Sequence, residues 1–96
     1  MRNLHVWKTV TADREKREIR AERFGGRWRF QTKLRSEAGW TYHDTLPYED
    51  LEELRDIVWR KYQRKRLPYD DVASLDRMLE EKRTLGEGPS EADSEA

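Results

Sequence analysis

The chain has no cysteine, only three prolines and five glycines in 96 residues, and a formal charge of zero. Without cysteine there is no disulfide, no thiolate nucleophile and no Cys-bound zinc. No apolar run approaches the roughly 18 residues that a membrane span requires. The opening residues, Met1 to Lys8, lack the apolar stretch of a signal peptide, so the expected location is the cytoplasm. Aliphatic residues are also sparse: hydrophobic residues make up 34% of the chain while charged ones make up 42%. Ten aromatics offset this shortage, and the expected core is small and rich in rings. A chain this short does not hold both a large core and a deep substrate cavity.

The zero net charge hides a strong segregation. Residues 1–35 carry +7 and residues 36–59 carry −6, while 60–66 hold five bases and no acid. Residues 67–85 carry −2 and residues 86–96 carry −4. Such blocks mark either a binding face or the ordinary charge preferences of secondary structure.

The first third reads as strands. Gly25-Gly26 between two alternating runs signals a tight hairpin, because both central residues of such a turn need positive φ. A two-residue loop sets Arg23 opposite Trp28, Ala21 opposite Phe30 and Ile19 opposite Thr32 on one face. The other face then pairs Glu22 with Arg29, Arg20 with Gln31 and Glu18 with Lys33. One side is mostly apolar and the other is laced with opposite charges, and a one-residue slip would mix the two sets. Residues 3–10 add a strand with Leu4, Val6 and Val10 on one side and His5, Trp7 and Thr9 on the other. Residues 40–43 add a short fourth strand.

The second half is helical and contains a repeat. Leu46-Pro47-Tyr48-Glu49-Asp50-Leu51 returns 21 residues later as Leu67-Pro68-Tyr69-Asp70-Asp71-Val72. Each copy opens with Pro and acids and ends in bases, the order that suits a helix macrodipole. Leu51, Leu54, Val58 and Tyr62 form the apolar stripe of the first helix, and Val72, Leu75, Met78 and Leu79 that of the second. The short joint at Arg66-Leu67-Pro68 predicts a helical hairpin.

These elements predict an α+β domain over residues 1–85: a three- to four-stranded antiparallel meander, then a two-helix hairpin packed on one face. The expected strands span about 3–10, 17–24, 27–35 and 40–43, and the helices about 47–66 and 68–84. Trp28, Phe30, Ile19, Ala21, Leu4, Val6, Leu51, Leu54, Val58, Leu75 and Leu79 form the expected core. Arg23 sits at its edge, with its stem beside Trp28. Residues 86–96 have no large apolar side chain and read as a disordered acidic tail.

No catalytic, cofactor-binding or metal-binding set emerges. His43-Asp44 are strand neighbours that point to opposite faces, and the serines sit in no nucleophile context. His5 and His43 lack the spacing of a metal site. Gly25-Gly26 opens no helix and is not a phosphate loop. The chain is therefore expected to be neither an enzyme nor a cofactor carrier.

The remaining signals are bases and tryptophans. Arg20, Arg27, Arg29 and Arg35 on the hairpin, with Arg60, Lys61, Arg64, Lys65 and Arg66 at the end of the first helix, are the candidate nucleic-acid contacts. Trp7, Trp40 and Trp59 are the candidate anchors for a protein partner. Because Glu18 and Glu22 oppose Lys33 and Arg29, the expected charge cancellation favours a small non-catalytic module that binds a protein partner. The alternative is an RNA- or DNA-binding domain using the basic sheet face and the basic end of the first helix. In its order of elements, the stretch 17–66 resembles the sheet-plus-helix DNA-binding arms of phage-type integrases. That resemblance is architectural and implies a sheet that meets DNA.

Overall fold

The alternation of the first third and the repeat of the second each resolve into a separate body. The computed structural model describes residues 3–86. It contains strands β1 (Asn3–Val10), β2 (Lys16–Phe24), β3 (Arg27–Leu34) and β4 (Thr41–His43), then helices α1 (Tyr48–Gln63) and α2 (Tyr69–Thr84). The fold is α+β, with an antiparallel meander in the order β1-β2-β3-β4 followed by two helices. The described residues fall into two compact units that divide between Thr45 and Leu46. The acidic segment 87–96 lies outside the described residues.

In the sheet unit, Gly25 (φ 57°) and Gly26 (φ 79°) form the tip between β2 and β3. Both adopt the left-handed backbone that a type I′ turn requires. The resulting register is the one the charge and apolar patterns dictate: Arg23 faces Trp28, Ala21 faces Phe30, and Glu22 faces Arg29. Ile19, Ala21 and Phe30 are fully buried. Trp28, expected in the core, is half-buried. Its ring stacks on Phe30 at 6.1 Å and tilts against His5 at 5.9 Å, with the Arg23 guanidinium 5.4 Å from its centroid. β4 pairs only with Phe30, Gln31 and Thr32 of β3.

β1 corrects the sequence reading. Leu4 and Val6 were expected in the core, yet Leu4, Val6 and Val10 are exposed while His5 is buried. The turn explains this reversal. Thr11 to Glu15 make a five-residue connection, closed by the Thr11 N–H donating to the Glu15 carbonyl, so Val10 pairs with Lys16. Even-numbered residues of β1 therefore share a face with the even-numbered, charged residues of β2. His5 and Trp7 instead stand beside Ala21 and Ile19. On that side His5 is buried and Trp7 half-buried.

In the helical unit, Pro47 and Pro68 hold extended backbone (ψ 157° and 152°) immediately before their helices. Both helices begin with acids and end with bases. The repeat is carried into the burial pattern: Asp50, Leu51 and Leu54 are buried, as are Asp71, Val72 and Leu75 at the same 21-residue offset. α1 stops at Gln63, short of the expected 66, because Lys65 turns left-handed (φ 61°). Lys65 N–H then donates to the Tyr62 carbonyl and Arg66 N–H to that of Lys61. This is a Schellman closure with lysine where glycine is usual.

The two helices form an antiparallel hairpin whose seam repeats every seven residues. Tyr62 meets Tyr69 with ring centroids 5.4 Å apart. Arg55 bonds Asp76 at 2.8 Å, and the Arg83 guanidinium lies 5.5 Å from the Tyr48 centroid. A seven-residue period is what keeps two helices in register along a shared seam.

Candidate functional site

The meander gives the sheet two unlike faces. His5, Ile19, Ala21, Phe30 and Thr32, all buried, belong to one of them. The register places Leu4, Val6, Lys8 and Val10 of β1 on the other, outward face. From β2 come Lys16, Glu18, Arg20, Glu22 and Phe24, and from β3 come Arg27, Arg29, Gln31 and Lys33. Tyr42 completes the face from β4.

Cross-strand rows show how its charges are set. Glu18 lies between Lys8 and Lys33, and Glu22 between Leu4 and Arg29. Arg20 lies between Val6 and Gln31, with no acid in its row. The Arg20 guanidinium lies 4.4 Å from the Trp40 ring centroid, and its Nε is buried with no hydrogen-bond partner among the described residues. A guanidinium stacked on indole is attracted by the ring face while its stem is held in place.

Two open clefts lie at the ends of the sheet and draw side chains from both of its faces. One, of about 550 Å³, is lined by Arg27 and Arg29 together with Phe24, Trp28, Tyr42, His43 and Asp44. The other, of about 350 Å³, gathers Lys8, Lys16, Arg17, Lys33 and Arg35 around one acid, Glu18. Glu15 and Glu37 stand outside that lining and are tied to the backbone. Ser36 N–H donates to the Glu15 carboxylate at 2.7 Å, and Leu34 N–H donates to that of Glu37 at 2.8 Å. Hydrogen bonding from Ser36 holds the Glu15 carboxyl below the usual glutamate range.

Of the candidate bases, Arg20, Arg27 and Arg29 share the outward face, and Arg35 adjoins it through the second cleft. The other five belong to the helical unit. Arg60 pairs with Asp56 at 2.9 Å. Lys61 is half-buried, and burial followed by the neighbouring Arg66 charge lowers its pKa. Arg64, Lys65 and Arg66 are exposed in the closing turn of α1. Lys8 and Lys16 escaped the sequence reading. Lys8 depends on the parity of the five-residue turn, and Lys16 lies one residue before the expected start of β2.

The three candidate tryptophan anchors are dispersed. Trp7 stands beside Ile19 on the face that holds the buried residues. Trp40 is covered on one side by Arg20. Trp59 packs against Tyr62 at 5.5 Å and beneath Arg55 at 5.2 Å. All three are half-buried.

His5 is buried and His43 half-buried. His43 Nε2 and Thr32 Oγ1 share a hydrogen bond of 2.7 Å. His5 and His43 occupy the ends of one cross-strand row, roughly 14 Å apart by strand spacing. Among the described residues no group of three or more His, Cys, Asp or Glu side chains could hold a metal ion. Comparison with protein families, curated proteins and solved structures finds no match for this chain.

Proposed function

We propose that this chain is a small non-catalytic nucleic-acid-binding domain that works through the outward face of its sheet. The observation that carries this reading is the composition of that face: six bases (Lys8, Lys16, Arg20, Arg27, Arg29 and Lys33) against two acids (Glu18 and Glu22). Phe24 and Tyr42 stand exposed among them. Cations for phosphate and open rings for bases are the two ingredients such a surface needs. In the sequence reading the hairpin's own acids cancelled much of the field. Lys8 and Lys16 double the surplus of positive charge on that face, from two to four.

The test is a titration of labelled protein with mixed single- and double-stranded oligonucleotides at about 50 and 200 mM salt. Affinity that falls steeply with salt, and falls further in Arg29→Glu, supports the reading. No binding at the lower salt overturns it.

A protein partner is the second reading, favoured by a different observation. Leu4, Val6 and Val10 lie exposed along β1, which forms one border of the sheet. Aliphatic side chains on a border strand suit an added strand from another protein. Photo-crosslinking from position 6 in cells, followed by titration of the identified partner against wild type and Val6→Asp, decides it. A purified partner that binds both proteins equally removes this reading.

A further inference from the structure

We infer that the nucleic acid taken by this face is single-stranded, with phosphates tracking along β3 and bases stacking on the rings of Phe24 and Tyr42. This rests on the nucleic-acid reading above and deepens it. Arg27, Arg29, Gln31 and Lys33 occupy successive outward positions of one strand. Arg35 continues the series into the second cleft. Outward positions on a strand repeat about every 6.8 Å, a step close to that between successive phosphates of an extended nucleic-acid chain. From Arg27 to Arg35 the track runs about 27 Å. That length suits a footprint on the order of four nucleotides, the small end for a single-strand groove.

The rings decide between one strand and two. Tyr42 is 66% exposed and Phe24 57%, and both border the cleft that holds Arg27 and Arg29. A duplex keeps its base faces stacked inside and offers such rings nothing flat. An unpaired base offers its whole face, whatever its identity. Strand spacing sets the two rings roughly 17 Å apart. They therefore act as separate platforms, one on either side of Arg29, and do not clamp a single base between them. Gln31, midway along the track, supplies both a donor and an acceptor where the cations pause.

The test uses a short oligothymidylate and a hairpin duplex of the same length, measured by fluorescence anisotropy on the full chain. The single strand is expected to bind at least tenfold more tightly than the duplex. Tyr42→Ala should weaken single-strand binding by roughly tenfold, the scale of one lost stacking contact, and leave duplex binding unchanged. Arg29→Glu should weaken both. Circular dichroism confirms that each variant keeps its fold. Duplex binding as tight as the single strand, or a Tyr42→Ala variant that binds the single strand normally, overturns this inference and leaves the nucleic-acid reading standing. No binding of either probe at low salt overturns both.

Discussion

Arg55 and Asp76 are equivalent positions of the 21-residue repeat, and they bond to each other across the seam of the helical hairpin at 2.8 Å. The pair sits seven residues from the Tyr62–Tyr69 contact in one direction and seven from the Tyr48–Arg83 contact in the other. A second, longer bond at 3.4 Å from the same guanidinium completes a fork on the carboxylate. The side chains are 34% and 43% exposed, so solvent screens much of the attraction. Asp76→Asn should cost up to about 1 kcal/mol in urea denaturation, with an Arg55–Asp76 coupling of roughly 0.5 kcal/mol in a double-mutant cycle. A coupling several times larger would show that the pair is far less solvated than its exposure indicates.

The closing turn of α1 carries strain that can be relieved. Lys65 holds φ 61°, a conformation that costs a side-chain-bearing residue roughly 1–2 kcal/mol. Glycine adopts it freely but loses more entropy on folding. Lys65→Gly should therefore raise stability by about 1 kcal/mol. Thermal denaturation checks this directly, and a fall in midpoint would contradict the Schellman closure.

The reversal of β1 has a mutational signature. Ile19, fully buried, should cost about 2–5 kcal/mol when cut to Ala. Val6→Thr, on the outward face, should stay within about 0.5 kcal/mol of wild type. Denaturant midpoints measured side by side distinguish the two faces, and a large loss at Val6 would put β1 in the orientation that its sequence alone suggests.

Acid should release the contact between Glu15 and Ser36 that joins the two loops. Ser36 hydrogen-bonds to the Glu15 carboxylate and holds it below its ordinary value of 4.5. A carboxyl more acidic in the folded chain than in the unfolded one lends stability above that ordinary value. It loses this contribution as pH falls through the folded value. Glu15→Gln should be less stable than wild type near neutral pH, and the gap should close below about pH 4.5. Urea midpoints across the acid range measure it; a gap that is constant with pH would show that the bond does not depend on the charge.

Much of the fold was legible because local signals agreed with one another. Gly25-Gly26 demanded a turn, and the alternation on either side demanded one register, in which apolar and charged sets separate. The proline-led repeat marked both helices and their burial. β1 resisted because each of its faces carries apolar side chains: Leu4, Val6 and Val10 on one, Trp7 with His5 on the other. Only the number of residues in the following turn decides between them, and strand periodicity carries no information about that number. The candidate site inherited the difficulty, since Lys8 joins the basic face only once that parity is known. The seven-residue seam was implicit in a repeat of 21, but its contacts pair unlike side chains that no apolar pattern reveals.

One border of the sheet carries a cost of its own. β1 runs eight residues without proline, and three of its four outward side chains from Leu4 to Val10 are aliphatic. Lys8 is the single charge that interrupts them, the kind of residue that blunts edge-to-edge pairing of separate molecules. Lys8→Val should leave the isolated fold intact and make concentrated solutions turn cloudy sooner, which light scattering would register.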